Sequence, residues 1–300
     1  MSDDSDPYLY PGTDVLKNVP GLGTTEQLAA FEAVNTAART YELLQNPVPG
    51  EFNTAHLKAI HQQIFQDVFA WAGEFRTTPL GKAEYLGQRP IWFTPPHVLE
   101  HQADAIFEEL SRAGFLRGLP RVQFARQSAR LLSKVNRLHP FREGNGRTQR
   151  VFLEILARRA GQELHFDVVS RERMVQASIE ANTGNLGMMT RMFEEITDAD
   201  RIQPLRRAIA FLSREKFNWN GTYIATTTAG VGYAGRLVGR DGDAFMVRAD
   251  DNRIFVGCSG DIDPVARSGE RIEFRAAPGK RRRYESQNTP GESDGSVEKT

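Results

Sequence analysis

One run of twelve residues concentrates side chains able to do chemistry: His139-Pro140-Phe141-Arg142-Glu143-Gly144-Asn145-Gly146-Arg147-Thr148-Gln149-Arg150. Gly144 and Gly146 leave backbone N–H groups that a ligand can approach with no Cβ in the way. They precede a helical pattern, and a helix N-terminus favours anions through its free donors and its dipole. Arg147 and Arg150 are three apart, fall near one helix face and can clamp phosphate oxygens in pairs. Asn145 adds donor and acceptor capacity. Glu143 is an anion in a site otherwise suited to anions, which fits a carboxylate that holds Mg²⁺ against bridging phosphates. His139, at the other end of the run, offers an imidazole to take the proton of an attacking hydroxyl. Singly, each feature has a plainer reading: a cap, a turn, a solvated arginine pair. Together, in this order, they describe a nucleotide site.

The elements that must position this loop are helical. A helix is predicted from Thr24/Thr25, with Leu28, Phe31, Ala38, Tyr41 and Leu44 on one face, up to Asn46-Pro47. A second spans about 53–69, with Leu57, Ile60, Ile64 and Val68 at three- and four-residue spacing. Residues 72–93 are punctuated by Gly73, Pro79, Gly81, Gly87 and Pro90 and read as a β-hairpin or extended loop. Thr94 then N-caps a helix carrying Leu99, Ile106 and Leu110. Helices over 122–138 and from about Gly146 to Gly161 flank the chemical run, and weaker ones follow at 170–181, 186–196 and 202–213. Residues 221–276 change texture to short alternating runs such as Phe245–Arg248 and Arg271–Phe274, with turns at Asp241-Gly242 and Asp250–Asn252. This predicts a small β-barrel or sandwich. The division expected is an extended N-terminal arm (1–24), a catalytic domain (25–200), a helical connector (201–218), a β-domain (219–278) and a disordered tail (279–300) with a basic run, Lys280–Arg283.

Composition narrows the classes. The 38 Lys and Arg balance 38 Asp and Glu, so nothing marks a general polyanion binder, and nucleic acid is not an expected partner. A single cysteine, Cys258, excludes an internal disulfide framework and a cysteine-rich zinc site, and it reads as a small buried strand residue. The acidic N-terminus lacks an apolar core of the secretory kind, and no window of 18 apolar residues offers a membrane span. The expectation is a bacterial cytoplasmic protein that contacts no membrane, with translocation into a host or recipient cell as the alternative.

The run at 139–150 resembles the Fic motif, His-Pro-Phe-x-(Asp/Glu)-Gly-Asn-Gly-Arg-x-x-Arg, without departure, and the resemblance extends over about residues 25–200. It implies a mainly α fold, a helical bundle with a β-hairpin flap over the active site. The implied activity is that of a protein adenylyltransferase, moving AMP from ATP to a Ser, Thr or Tyr hydroxyl of a target protein with loss of pyrophosphate. On this resemblance His139 is the general base. Glu143 binds Mg²⁺, and Gly144, Asn145 and Gly146 form the anion hole. Arg147 and Arg150 hold the phosphates. In the flap stretch, Lys82 is assigned to the nucleotide, and Thr77, Thr78 and Pro79 to backbone pairing with a target strand. Relatives that transfer a terminal phosphate carry Lys where this chain has Gly146, so AMP transfer is favoured. The family's inhibitory pattern, (Ser/Thr)-x-x-x-Glu-(Gly/Asn), is matched by no glutamate outside the loop, which implies a toxin or effector silenced by a separate small helical antitoxin. A Fic domain followed by an OB-like β-barrel is similar to the Bep-type effectors of Bartonella and to related conjugative toxins.

Two other readings stay open. One is an idle Fic scaffold that only recruits partners; loss of His139 or of the arginine pair would be its mark, and all three are present. The other is a nucleic-acid binder acting through the β-domain, with Tyr223, Tyr233 and Phe245 stacking bases. Aromatic residues in strands are more often core, and the neutral charge opposes this reading. Trp71 and Trp92, flanking the flap, read as packing residues.

Overall fold

The computed structural model describes residues 6–82 and 90–277. Most of the flap tip and the tail with its basic run lie outside the described residues. Eight α-helices lead the chain among the described residues, and a five-stranded sheet ends it: α1 (Thr25–Gln45), α2 (Thr54–Phe65), α3 (Leu99–Arg112), α4 (Arg121–Leu138), α5 (Asn145–Arg159), α6 (Arg171–Asn182), α7 (Gly187–Ile196) and α8 (Ala199–Arg214). Two short strands, β1 (Gly81–Lys82) and β2 (Ile91–Trp92), pair antiparallel between α2 and α3 and form the root of a hairpin.

Local chemistry sets the boundaries. Thr24 and Asn53 cap α1 and α2 through their side chains, and Ser170 caps α6. The helix α2 stops at Phe65, short of the predicted 69, and turns carry the chain on. Thr94 does not cap α3. A 3₁₀ turn over Pro96–Val98 intervenes, and the Thr94 hydroxyl bonds Gln102 Oε1 at 3.1 Å instead. The segment before α1 doubles back on itself, closed by a Leu9–Leu16 bridge, with Val15 buried and Val19 N–H donating to Val68 C=O at 2.8 Å.

The helical core runs through Ile60, Ile64 and Phe65 of α2, Phe124, Leu132 and Val135 of α4, and Phe152 and Leu156 of α5. Helix α8 carries it onward to the sheet, where Ile224, Ala244, Met246, Ile254 and Val256 join the same apolar cluster. The strands are β3 (Ile224–Thr226), β4 (Gly232–Asp241), β5 (Ala244–Arg248), β6 (Ile254–Cys258) and β7 (Arg271–Arg275), in the order β3-β6-β5-β4-β7. The β3–β6 pair is parallel and the others antiparallel. Strand β5 shows the two-residue period: Ala244 and Met246 face the helical core, while Phe245 and Val247 build a second cluster with Leu237 and Ile262. The sequence predicts a small OB-like β-barrel or sandwich here; the described strands form one mixed five-stranded sheet, in which the outer strands β3 and β7 do not pair with each other. Phe245 is fully buried, and Tyr233 stacks on Phe274 and accepts a hydrogen bond from Thr228 N–H, so these rings are engaged within the sheet. Trp71 packs as expected, stacked on Phe69 at 4.3 Å, whereas Trp92 is 73% exposed on the hairpin. Cys258 is only half-buried.

Candidate active site

Helix α4 ends at His139, which takes a left-handed conformation with φ 45°. A non-glycine residue there is strained and needs support from its surroundings. Phe93, just after β2, stacks on the imidazole at 3.8 Å and 7°. The ring's Nδ1 lies 3.3 Å from Asn136 C=O. A carbonyl can only accept, so Nδ1 carries the proton and Nε2 keeps its lone pair. Burial, reinforced by the Lys82 and Arg76 cations, lowers the imidazole pKa to about 3. The ring is therefore neutral and ready to receive a proton at neutral pH.

The loop that follows is held from inside. Asn145, 4% exposed, accepts from Phe141 N–H at 3.0 Å and donates to Phe141 C=O at 2.7 Å. Its side chain staples the loop, which leaves its backbone N–H as the group it can offer at the expected anion hole. A second histidine, which the sequence reading missed, supports the same loop. His61 of α2 is fully buried, accepts from Gly73 N–H at 2.8 Å through Nδ1 and reaches Glu143 C=O at 3.1 Å with Nε2. Because Nδ1 accepts, Nε2 is the protonated nitrogen. Burial lowers the His61 pKa to about 3, so it stays neutral. A histidine on the buried face of an amphipathic helix was the available signal.

The two glycines serve different ends. Gly144 caps α5 with φ 82°, and a Cβ there would sit 2.3 Å from the Phe65 ring. Its reason is packing and backbone geometry. Gly146 lies inside the first turn of α5, not before it, and a Cβ there would meet nothing closer than Arg150 at 3.8 Å. No neighbour among the described residues demands a glycine at 146, so the space it leaves there is open to a ligand.

The two arginines also differ. Arg147 is committed to the protein: it pairs with the half-buried Glu32 of α1, bonds Thr36 Oγ1 at 3.1 Å and touches Glu143 Oε1 at 3.3 Å. Arg150 makes no side-chain hydrogen bond among the described residues. Burial and the neighbouring Arg147 disfavour its charge, and Glu154 opposes them only in part. A half-buried guanidinium without a hydrogen-bonded anion is a phosphate clamp in waiting.

Glu143, Gly144, Gly146, Arg147, Arg150 and Lys82 all line one cleft of about 770 Å³. Apolar lining comes from residues not foreseen as site residues, Phe166, Val169, Met174, Val175 and Trp219, the last from the segment joining α8 to the sheet, interspersed with Asp167, Ser170, Arg171 and Asn220. A nucleotide has a charged end and a flat apolar end, and the cleft offers lining for each. Glu143 has a 44% exposed carboxylate with one oxygen on Gly144 N–H at 2.9 Å. No group of three or more acidic, His or Cys side chains is placed to hold a metal ion among the described residues. One carboxylate plus substrate phosphates is a normal Mg²⁺ environment, so the donor set fits that ion.

The expected target-docking residues Thr77, Thr78 and Pro79 are partly engaged within the chain. Thr77 N–H already donates to the Tyr8 hydroxyl at 3.0 Å, Thr78 C=O accepts from Arg76 at 2.9 Å, and Pro79 has no N–H. In the described two-stranded hairpin β1 and β2 pair only with each other, so Gly81–Lys82 in β1 keeps an unpaired outer edge, as does β2.

Residues 51–157 match the model of the Fic/DOC family. A probable protein adenylyltransferase of Sinorhizobium fredii, y4lH, is 38% identical over 182 residues, covering 60% of this chain and 90% of the relative. The chain belongs to the Fic/DOC family. A protein adenylyltransferase of Bartonella henselae is 31% identical over 283 residues, 90% of this chain and 52% of that protein. The Fic chain thus spans about half the length of that longer relative. Among solved structures, the type IV secretion system effector BepA superposes with a TM-score of 0.83 at 29% identity, over 92% of this chain and 97% of its own. BepC of Bartonella tribocorum, a structure with bound AMPPNP, gives a TM-score of 0.59 at 30% identity over 64% of this chain and 96% of its own. Several relatives of this Fic chain thus carry the name protein adenylyltransferase. No helix among the described residues is long and apolar enough to cross a membrane.

Proposed function

We propose that this chain is a protein adenylyltransferase that moves AMP from ATP to a Ser, Thr or Tyr hydroxyl of a target protein. The observation that carries the reading is a pair of unspent groups, one at the end of α4 and one in α5. A neutral His139 keeps a free Nε2, and Arg150, without a hydrogen-bonded partner, faces a cleft with open space at Gly146. The target oxygen attacks the α-phosphorus, the bond to the β-phosphate oxygen breaks, pyrophosphate leaves, and the hydroxyl proton passes to His139 Nε2. Mg²⁺ held by Glu143 would neutralise charge on the phosphates. Arg150 and the first N–H groups of α5 bind the phosphates, with Arg147 held in register by Glu32 and Thr36. Catalysis is then mostly placement and fixed charge. Lys82, from the hairpin, adds a cation at the cleft rim, and the β1 edge receives the target strand.

The finer identity follows the same reading. The sheet is an OB-like module, which five strands in a partly open arrangement support. Control falls to a separate small helical antitoxin whose glutamate would pair with Arg150, the arginine whose side chain makes no hydrogen bond among the described residues. The protein acts in the bacterial cytoplasm or after transfer into another cell, in line with a structural relative described as a type IV secretion effector. The test of the site is calorimetric titration with ADP and Mg²⁺. Arg150→Ala should weaken binding by about tenfold or more, the value of one or two charge-assisted hydrogen bonds. Unchanged affinity would remove Arg150 from the site.

A further inference from the structure

Arg76 is among the most buried charged residues of the molecule, 2% exposed, and no acidic side chain among the described residues pairs with it. A buried guanidinium without a counter-ion is costly, and a methionine would fill similar space more cheaply. Its donors go to three backbone carbonyls: Nε to His139 at 2.9 Å, Nη1 to Thr78 at 2.9 Å and Nη2 to Thr94 at 2.5 Å. Its own N–H donates to Pro140 C=O at 2.8 Å. Thr78 lies just before β1 and Thr94 just after β2, so the fork joins both roots of the flap hairpin to the proposed base. Only a planar cation with five donors can serve three carbonyls that lie in three directions. The His139 carbonyl, turned out of the helical ladder at φ 45°, needs such a donor. Phe93, at the root of β2, is also the ring stacked on the imidazole, so a displaced root would release His139.

We propose that Arg76 is a positioning residue that sets the distance and orientation of His139 relative to the flap hairpin. The inference rests on the reading of His139 as the base for AMP transfer. A hydroxyl presented on the flap must meet Nε2 within hydrogen-bond reach, and misplacement by about 1 Å costs roughly a hundredfold in rate.

The test compares the parent with Arg76→Gln and Arg76→Lys by hydrogen exchange, Mg²⁺–ADP affinity and transfer rate. For Arg76→Gln, amide exchange should rise in both hairpin roots (78–82 and 92–94) and at 139–141, while exchange within α4 and α5 stays parental. ADP affinity should hold within about threefold, because phosphate contacts lie elsewhere, while kcat falls by roughly a hundredfold. Arg76→Lys, with donors but no fork, should recover part of the rate. Parental exchange at the hairpin roots in Arg76→Gln would overturn the proposal. So would a rise spread over α4 and α5 with loss of ADP binding, which would reduce Arg76 to a fold-stabilising residue. If the parent itself transfers no AMP, the functional reading fails, and the exchange data still decide whether Arg76 ties His139 to the hairpin.

Discussion

At the scale of single residues, the site depends on which polar groups the protein has already spent. Asn145, Arg147 and His61 are spent on the loop and on α1, whereas His139 Nε2 and Arg150 are not. His139→Ala should lower transfer by about 10²–10⁴-fold with ADP binding retained, as expected for loss of a general base. The low pKa of His139 fixes the sign of a second prediction. The imidazole is deprotonated far below its ordinary value, so the acid limb of kcat/KM lies below pH 5 and not near 6.5. A midpoint at 6.5 that disappears in no other variant would contradict this assignment. Glu154, one turn beyond Arg150, is pushed up by burial to about 7, with Arg158 and Arg150 opposing. Its folded value exceeds the unfolded one, so its contribution to stability is complete below about pH 4.5 and is lost as pH rises through 7. The difference in Tm between Glu154→Gln and the parent should therefore grow between those values; a pH-independent difference would refute it.

At the scale of elements, the loop and the turns around it are built by exclusions that side-chain type alone does not reveal. Gly144→Ala forces a Cβ to 2.3 Å from the Phe65 ring at φ 82°, and should destabilise by about 2–4 kcal/mol in a denaturant melt. Gly146→Ala meets nothing closer than 3.8 Å, so it should fold with near-parental stability yet bind ADP less well. Equal loss of stability in both variants would remove the distinction. The sequence made the helices legible because their apolar spacing survives in the core: Leu57, Ile60 and Ile64 are all buried. It also placed His139 and Glu143 on one loop and the arginines on the helix that follows it. It did not reveal that Asn145 faces inward, because a side chain with both donor and acceptor suits a ligand and a loop staple equally. Nor did it find His61, Glu32 or Trp219, whose roles arise from long-range packing of α2, α1 and the α8–β3 segment. The capping role expected of Thr94 failed because the prolines after it set a 3₁₀ turn before α3. Whether the strands close into a barrel was not legible either, because strand count and alternation are the same in open and closed sheets.

At the scale of the whole molecule, the helical part and the sheet share one apolar core and one buried ionic knot. Glu195 of α7, with no exposed surface, accepts from Arg173 of α6 at 2.8 Å and from Thr226 N–H of β3 at 3.3 Å, and is ion-paired with Arg191 at 3.0 Å and with Arg201 of α8 at 3.7 Å. Burial alone would raise its pKa, but the three arginines outweigh it and hold the carboxyl below its ordinary value. That stabilisation is present above the unfolded value and is lost as pH falls through the folded one. Glu195→Ala strands buried cations and should cost about 3–5 kcal/mol of unfolding free energy. A loss below 1 kcal/mol would mean the knot does not couple the two parts. Because the cleft draws Trp219 from the junction that this knot secures, a chain cut before the sheet should bind nucleotide less well than the intact one. The central claim is tested most directly by intact-mass analysis of proteins in bacterial and animal-cell lysates incubated with this chain, ATP and Mg²⁺, beside His139→Ala. The account predicts a protein that gains one AMP only with the parent chain. A modification that persists at the parental rate in His139→Ala would contradict it.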